Sequence, residues 1–202
     1  MCTMAATTPQ LGLRERKKIK TRTEIRRATY RLVAEQGYDA TTIEQIAEAA
    51  EVSPSTVFRY FATKEDIVLT DEYDALMAAR LRDRPTDESA LESVRAVMRE
   101  AIRLAMADDP AELKQRTKLI AEVPALRARS LESMSTTSRL LCEVLADRMG
   151  RSADDLEIRT YTMALMGALQ EASAYWAERD HQDDLAELMD RTLNTVRDGL
   201  TA

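Results

Sequence analysis

The 202-residue chain has only five glycines and five prolines, too few for an all-β domain that needs a turn every ten residues or so. One histidine and two cysteines, Cys2 and Cys142, argue against a disulfide framework and against a zinc site. The longest uncharged stretch that reads as buried, Thr160 to Gln170, falls well short of the roughly 20 residues that span a bilayer. The start, Met1 to Leu13, lacks the apolar centre of a signal peptide, so a cytoplasmic protein with no membrane partner is expected. Catalytic chemistry finds little purchase. There is no glycine-rich phosphate loop and no nucleophile elbow, and the sole histidine, His181, sits in the polar link Asp180 to Asp184, where solvation is expected. Neither a catalytic group, a metal site nor a cofactor is predicted. Cys142 falls in an apolar stripe and reads as a small buried hydrophobe.

What the chain has is helix-forming material and a lopsided charge. It is 45% hydrophobic and 32% charged, and Ala, Leu, Arg, Glu and Met dominate, which predicts an all-α fold of about nine helices. The net charge of −6 conceals a segment, Gly12 to Ala34, with nine basic residues against two acidic ones. Such a split suggests a nucleic-acid contact at one end and a different task at the other.

Ile25, Ala28, Leu32 and Val33 mark the apolar stripe of a first helix from about Leu13 to Gln36, which Gly37 ends. Thr42 and Gln45 form a capping-box pattern that opens a second helix with Ile43, Ile46, Ala47 and Ala50 inward. Ser53-Pro54 opens a third, Pro54 to Tyr60, and Thr63 caps a fourth that is expected to run unbroken from Lys64 to about Arg82. A tight turn between two short helices, the second rich in Ser, Thr, Arg and Tyr, predicts a helix-turn-helix. Val57 and Phe61 would dock the second of these, leaving Ser55, Thr56, Arg59 and Tyr60 outward in a major groove about 12 Å wide.

The stretch from Thr41 to Val68, TTIEQIAEAAEVSPSTVFRYFATKEDIV, resembles the DNA-binding domain of the TetR family of bacterial repressors, and Arg26 to Tyr38 resembles the family's first helix. The resemblance implies an N-terminal three-helix DNA-binding domain (13–67) behind an arm (1–12), and a helical ligand-binding and dimerisation domain (68–202). It further implies a homodimer on a near-palindromic double-stranded operator, released by a small hydrophobic or acyl-type effector. The DNA contacts carried over are Arg22, Thr42 (hydroxyl or amide to phosphate), Ser53, Ser55, Thr56, Arg59 as guanine reader, Tyr60, and Lys64 as phosphate ligand. Phe58 stands where tyrosine is common, so it loses a phosphate-binding hydroxyl and is expected to pack. Basic residues before Arg22 are expected to act as an arm on the backbone or minor groove.

In the remainder, helices are expected at about Glu88 to Ala107, Ala111 to Glu122, Pro124 to Gly150, an eighth behind a Ser152/Asp155 capping box, and Asp183 to Gly199. The eighth is apolar on two faces and needs two things to bury against. The residues alone fit a central helix of a monomeric bundle as well as a seam with a second copy; the resemblance implies the second copy, through Tyr161, Leu165, Ala168, Ala172, Tyr175, Leu188 and Val196. Methionines at helical spacing are more often plain core than pocket lining, and an effector pocket, if they converge, is expected at Met98, Ile102, Met134, Arg139, Met163, Met166, Gln170 and Trp176, with Leu76, Met77 and Leu81 passing its state toward the DNA-binding domain. The alternatives are a family member that activates or takes no ligand and, from another class, a basic-helix interaction module without sequence preference.

Overall fold

The computed structural model describes residues 12–70 and 73–200, without the side chains of residues 15, 73–76 and 136. Ten helices are found among them: α1 (Leu13–Gln36), α2 (Ile43–Ala49), α3 (Pro54–Tyr60), α4 (Lys64–Leu69), α5 (Tyr73–Arg82), α6 (Ala90–Asp108), α7 (Pro110–Glu122), α8 (Pro124–Met149), α9 (Leu156–Glu178) and α10 (Leu185–Asp198). The chain divides into two compact units, Met1–Val68 and Leu69–Ala202. Cys2 and the arm before Gly12 lie outside the described residues.

The first unit is held by caps and one small core. Helices α2, α3 and α4 have seven, seven and six residues, below the roughly 12–15 that an isolated helix needs. Short polar side chains fix their ends. Gly37, at a φ of +87°, closes α1 in backbone space open to glycine. Thr42 Oγ1 accepts the Gln45 amide at 3.3 Å, and Gln45 Oε1 accepts the Thr42 amide at 2.9 Å. Ser53 Oγ accepts the Thr56 amide at 3.2 Å, with Pro54 opening α3. Thr63 and Asp66 exchange amides for side-chain oxygens at 3.1 and 3.2 Å. Beneath the caps, Ile25, Ile46, Ala47, Val57, Phe61 and Ile67 form the core.

In the second unit, α9 packs against α7, α8 and α10. One core cluster joins α5, α6, α8, α9 and α10 around Leu81, Val94, Val144, Leu145, Leu165 and Leu193. Another surrounds Trp176 with Ile102, Ala172, Leu185, Leu188 and Met189. Two polar clamps lie between helices. Arg148, near the end of α8, donates to the carbonyls of Arg84 (2.9 Å) and Pro85 (2.7 Å) and to Ser93 Oγ (2.9 Å), tying down the link from α5 to α6. Beside it, the hydrogen bond from Arg84, opposed by lost hydration and aided by Ser93, brings the Glu88 carboxyl down to about 2. Asp190 of α10 takes Arg95 of α6 at 2.9 Å, and Arg95 also reaches Asn194 Oδ1 at 2.8 Å.

Three local expectations are corrected. The helix expected from Lys64 to Arg82 is two segments, because α4 ends at Leu69 and α5 begins at Tyr73; this raises the count from nine to ten. The Ser152/Asp155 box does not form. Ser152 Oγ accepts the Asp154 amide at 3.2 Å instead, and Asp155 takes the Arg151 guanidinium at 3.0 Å. The last helix starts at Leu185, with Asp184 rather than Asp183 accepting the amide of Glu187.

Arg148→Met removes the donors from these carbonyls and from Ser93 at once. A loss of about 2–4 kcal/mol is expected in urea denaturation, since part-buried acceptors are left without partners. An unchanged midpoint would show that the clamp is idle.

Candidate nucleic-acid interface and apolar cavity

Val57 and Phe61 turn one side of α3 inward, so the helix must present its other side outward. Ser53, Ser55 and Arg59 are exposed, and Thr56 and Tyr60 are half-buried. The three hydroxyls form a cluster, Ser53 Oγ lying 2.8 Å from Ser55 Oγ and 2.9 Å from Thr56 Oγ1. The Arg59 guanidinium sits 5.2 Å from the Tyr60 ring centre, which draws the two side chains together. Phe58 does not pack. It is 53% exposed, an apolar ring on an otherwise polar outer face, because its position on α3 lies off the stripe that Val57 and Phe61 bury.

The remaining candidates are partly engaged inside the unit. The Thr42 amide is taken by Gln45, so of the two expected donors to a phosphate its hydroxyl is the one left. Arg22 stands over the Phe61 ring at 5.4 Å. Lys64 is the main revision. Its ammonium donates to the carbonyls of Tyr38 (2.8 Å) and Thr41 (3.0 Å) and lies 4.0 Å from the Tyr38 ring centre. The expected phosphate ligand is thus first a tie between α4 and the turn after α1. Next to it, Tyr38 donates to Glu65 Oε1 at 2.9 Å, and burial followed by that bond pushes its phenol far above the ordinary value. Burial alone would raise the Glu65 carboxyl, but bonds from its own amide, Tyr38 and Thr63 bring it below its usual range. Arg14, Arg16, Lys17, Lys18 and Lys20 are exposed on the opening turns of α1, a helical rather than an extended basic segment.

Within the second unit a cavity of about 90 Å³ opens between four helices. Met77, Ala78 and Leu81 line it from α5, and Val94, Val97 and Met98 from α6. Thr137, Leu140, Leu141 and Val144 come from α8, and Met166 and Leu169 from α9. Of the eight expected pocket residues only Met98 and Met166 are there. Trp176 and Ile102 belong to the neighbouring core, where the indole N–H donates to the Asp183 carbonyl at 2.8 Å. Met163 is 44% exposed, Arg139 is exposed, and Met134 and Gln170 are half-buried away from the cavity. The angle around each helix, and not methionine or aromatic character, decides which side chains reach the cavity. The side chain of Leu76 lies outside the described residues.

The expected dimer surface is also rearranged. Leu165, Ala172 and Leu188 are buried in their own chain, and Tyr161 and Val196 pack against the same core as Leu165. Ala168 is half-buried. On α9 the solvent side carries Leu156, Thr160, Met163, Ala164 and Tyr175, of which Leu156 is 73% and Tyr175 40% exposed. Gly167 falls on the same side, and nothing lies within 4 Å of a Cβ built there.

His181 is half-buried and engaged, not a solvated link as expected. Asp180 and His181 adopt left-handed φ values of 53° and 59°, which bring the imidazole edge-on to Trp176 and its Nε2 to 2.9 Å from Thr117 Oγ1. Burial, then Lys114 and Lys118, lower its pKa against the pull of Asp180. The polar neighbours in sequence gave no sign of this turn. Among the described residues no cluster of three His, Cys, Asp or Glu could hold a metal ion, and no helix is long and apolar enough to cross a membrane.

Comparison with known proteins decides the family. Residues 25–70 match the bacterial regulatory proteins of the tetR family, and residues 88–201 match the MftR C-terminal domain. The chain belongs to the TetR family of bacterial transcriptional regulators. It is a DNA-binding regulator and not an enzyme. This TetR-family chain is 35% identical over 152 residues to the HTH-type transcriptional regulator TcmR of Streptomyces glaucescens, covering 71% of this chain and 67% of the relative. It is 22% identical over 178 residues to the fatty acid metabolism regulator protein of Bacillus subtilis, covering 86% and 92%. Among solved structures, FadR of Bacillus subtilis in complex with stearoyl-CoA aligns with a TM-score of 0.62 at 23% identity, covering 89% of this chain and 99% of that one. FadR of Thermus thermophilus in complex with lauroyl-CoA aligns with a TM-score of 0.55 at 24% identity, covering 90% and 95%.

Lys64→Met breaks a tie within the first unit, whereas Arg59→Ala trims an exposed side chain. The former is expected to cost about 1–3 kcal/mol and the latter no more than about 0.5 kcal/mol in thermal denaturation. Equal shifts would contradict the placement of Lys64.

Proposed function

We propose that this regulator is a cytoplasmic, ligand-responsive repressor that binds a near-palindromic operator as a homodimer and leaves it when a small hydrophobic or acyl-type molecule enters its C-terminal cavity. Residues 13–67 read the DNA behind an arm at 1–12, and residues 68–202 bind the effector and dimerise. The observation that carries this reading is the exposed hydroxyl and guanidinium face of α3 opposite the buried Val57 and Phe61. A seven-residue helix fits the major groove end-on or along it, and its Arg59 guanidinium matches the paired acceptors of guanine. Thr42, Ser53, Ser55, Thr56 and Tyr60 supply short hydroxyls for phosphates or base edges, and Arg22 and Lys64 add positive charge behind them. The exposed Phe58 suits the methyl group of thymine, a contact that needs an apolar side chain in the groove.

Dimerisation uses the outer side of α9, with Leu156, Met163, Gly167 and Tyr175, and not the buried Leu165, Ala172 and Leu188. A two-fold axis there would serve an operator with half-sites one DNA turn, about 34 Å, apart. The effector acts by preferring a state with low operator affinity. It presses on Met77, Ala78 and Leu81 of α5, the first helix after the DNA-binding segment in the chain. The acyl-CoA complexes of the two FadR relatives support an effector with an apolar body.

Selection of bound duplexes from a random pool at about 150 mM salt, a concentration at which non-specific binding is already weakened, tests the reading. One palindromic motif is expected. Arg59→Ala should relax a guanine position, at a cost of about 1–3 kcal/mol, and Phe58→Ala a thymine position. Binding that merely fades with salt and yields no motif would defeat it. For the dimer, Gly167→Glu adds a charge where the monomer has open space. Sedimentation should show a folded monomer with operator affinity reduced at least tenfold, and an intact dimer would locate the interface elsewhere.

A further inference from the structure

The cavity is nearly featureless chemically. Eleven of its twelve lining residues are apolar, none is charged, and Thr137 of α8 brings the one hydroxyl. An ionised carboxylate or phosphate placed there would lose its hydration without gaining a partner.

A second hydroxyl stands one helical turn from the wall. Thr162 of α9 is 0% exposed, and its Oγ1 has no hydrogen-bond partner among the described residues. Threonines inside helices ordinarily give their hydroxyl to the carbonyl four residues back, as Thr21, Thr23 and Thr29 do in this protein. Thr162 departs from that habit at a buried position, where an unmet polar group is costly. It lies on the same stripe of α9 as Met166 and Leu169, four and seven residues further on, and both of these line the cavity. Thr137 likewise precedes Val144 by seven residues on α8. The two helices are consecutive, joined by residues 150–155, and pack as antiparallel neighbours. Thr137 therefore lines the cavity directly, whereas Thr162 lies behind the wall, one turn of α9 before Met166, whose flexible side chain is part of that wall.

We propose that the effector is an uncharged hydrophobe bearing one or two hydrogen-bonding oxygens, and that Thr162, with Thr137, selects it over a hydrocarbon of the same shape. This rests on the reading of the cavity as the effector site. The space of about 90 Å³ is smaller than the cavity of about 150 Å³ known to admit benzene, so even one ring must displace side chains. Met77, Met98 and Met166 are the flexible ones that can move.

Toluene, phenol and benzoate test the proposal on the full-length protein, because the first two differ by a methyl for a hydroxyl and the third adds a charge. Affinities are measured by calorimetry for the native protein, Thr162→Val and Thr137→Val, together with each protein's thermal midpoint without probe. The native protein should bind phenol at least as tightly as toluene and should not bind benzoate. The phenol-to-toluene affinity ratio should fall at least tenfold in Thr162→Val and fall in Thr137→Val, with the ligand-free midpoint of Thr162→Val equal to or above the native one. A ratio unmoved by Thr162→Val overturns the role of that residue while toluene binding keeps the cavity as the effector site. Benzoate binding as tight as phenol overturns the uncharged class. A midpoint several degrees lower in Thr162→Val would mean that the hydroxyl already has its partner, which also overturns the assignment. Binding of none of the three defeats the cavity reading itself, and the proposal with it.

Discussion

A helix of seven residues cannot hold its shape in water, yet α3 must do so if it is to present side chains to DNA at fixed positions. Its burial through Val57 and Phe61 supplies most of what its length does not. The Ser53 cap and Pro54 settle where the helix starts, and the bond from Phe61 N–H to the Val57 carbonyl closes its last turn. Burial also decides orientation. Once those two residues face Ile25, Ile46 and Ile67, Arg59 and Ser55 have solvent to face and no alternative. The outward polar face of α3 follows from packing first and polar chemistry second.

The second unit meets a different demand. If it takes an effector as proposed, it has to be firm enough to hold a surface and loose enough to open around a ligand. The Arg148 and Arg95–Asp190 clamps hold helix ends and flanks, α8 to the α5–α6 link and α6 to α10. The apolar cavity lies between α5, α6, α8 and α9, where methionines rather than ion pairs form part of the wall. Rigidity at the clamps and methionines at the cavity would let a ligand bias one helix without dissolving the others, the condition for a shift between two packed states.

Much of the fold could be read from the chain because its signals are local. Caps at Thr42, Ser53 and Thr63, the glycine stop at Gly37 and the stripe from Ile25 to Val33 act over a few residues, and all of them form. The break between α4 and α5 left no trace in the apolar pattern, since Ile67, Val68 and Leu81 continue to suit one helix. The polar face of α3 was equally readable, but the internal engagement of Lys64 was not: its partners are carbonyls 23 and 26 residues earlier. The cavity was least legible. Methionine and aromatic residues mark a pocket no better than they mark a core, and Trp176 with its His181 partner turned out to be core. Helix periodicity shows that the faces carrying Leu165, Ala172 and Leu188 are apolar but not whether a second copy or their own chain covers them, and their own chain does.

The most direct test of the claim that α3 enters the major groove is methylation interference on a selected duplex. Guanine N7 lies in the major groove and adenine N3 in the minor groove, so the two methylated positions report the two grooves separately. Methyl groups on guanine N7 are expected to abolish binding at two symmetric positions about one helical turn apart, while adenine N3 methylation between them has little effect. Insensitivity at every guanine N7, or interference confined to adenine N3, would contradict it.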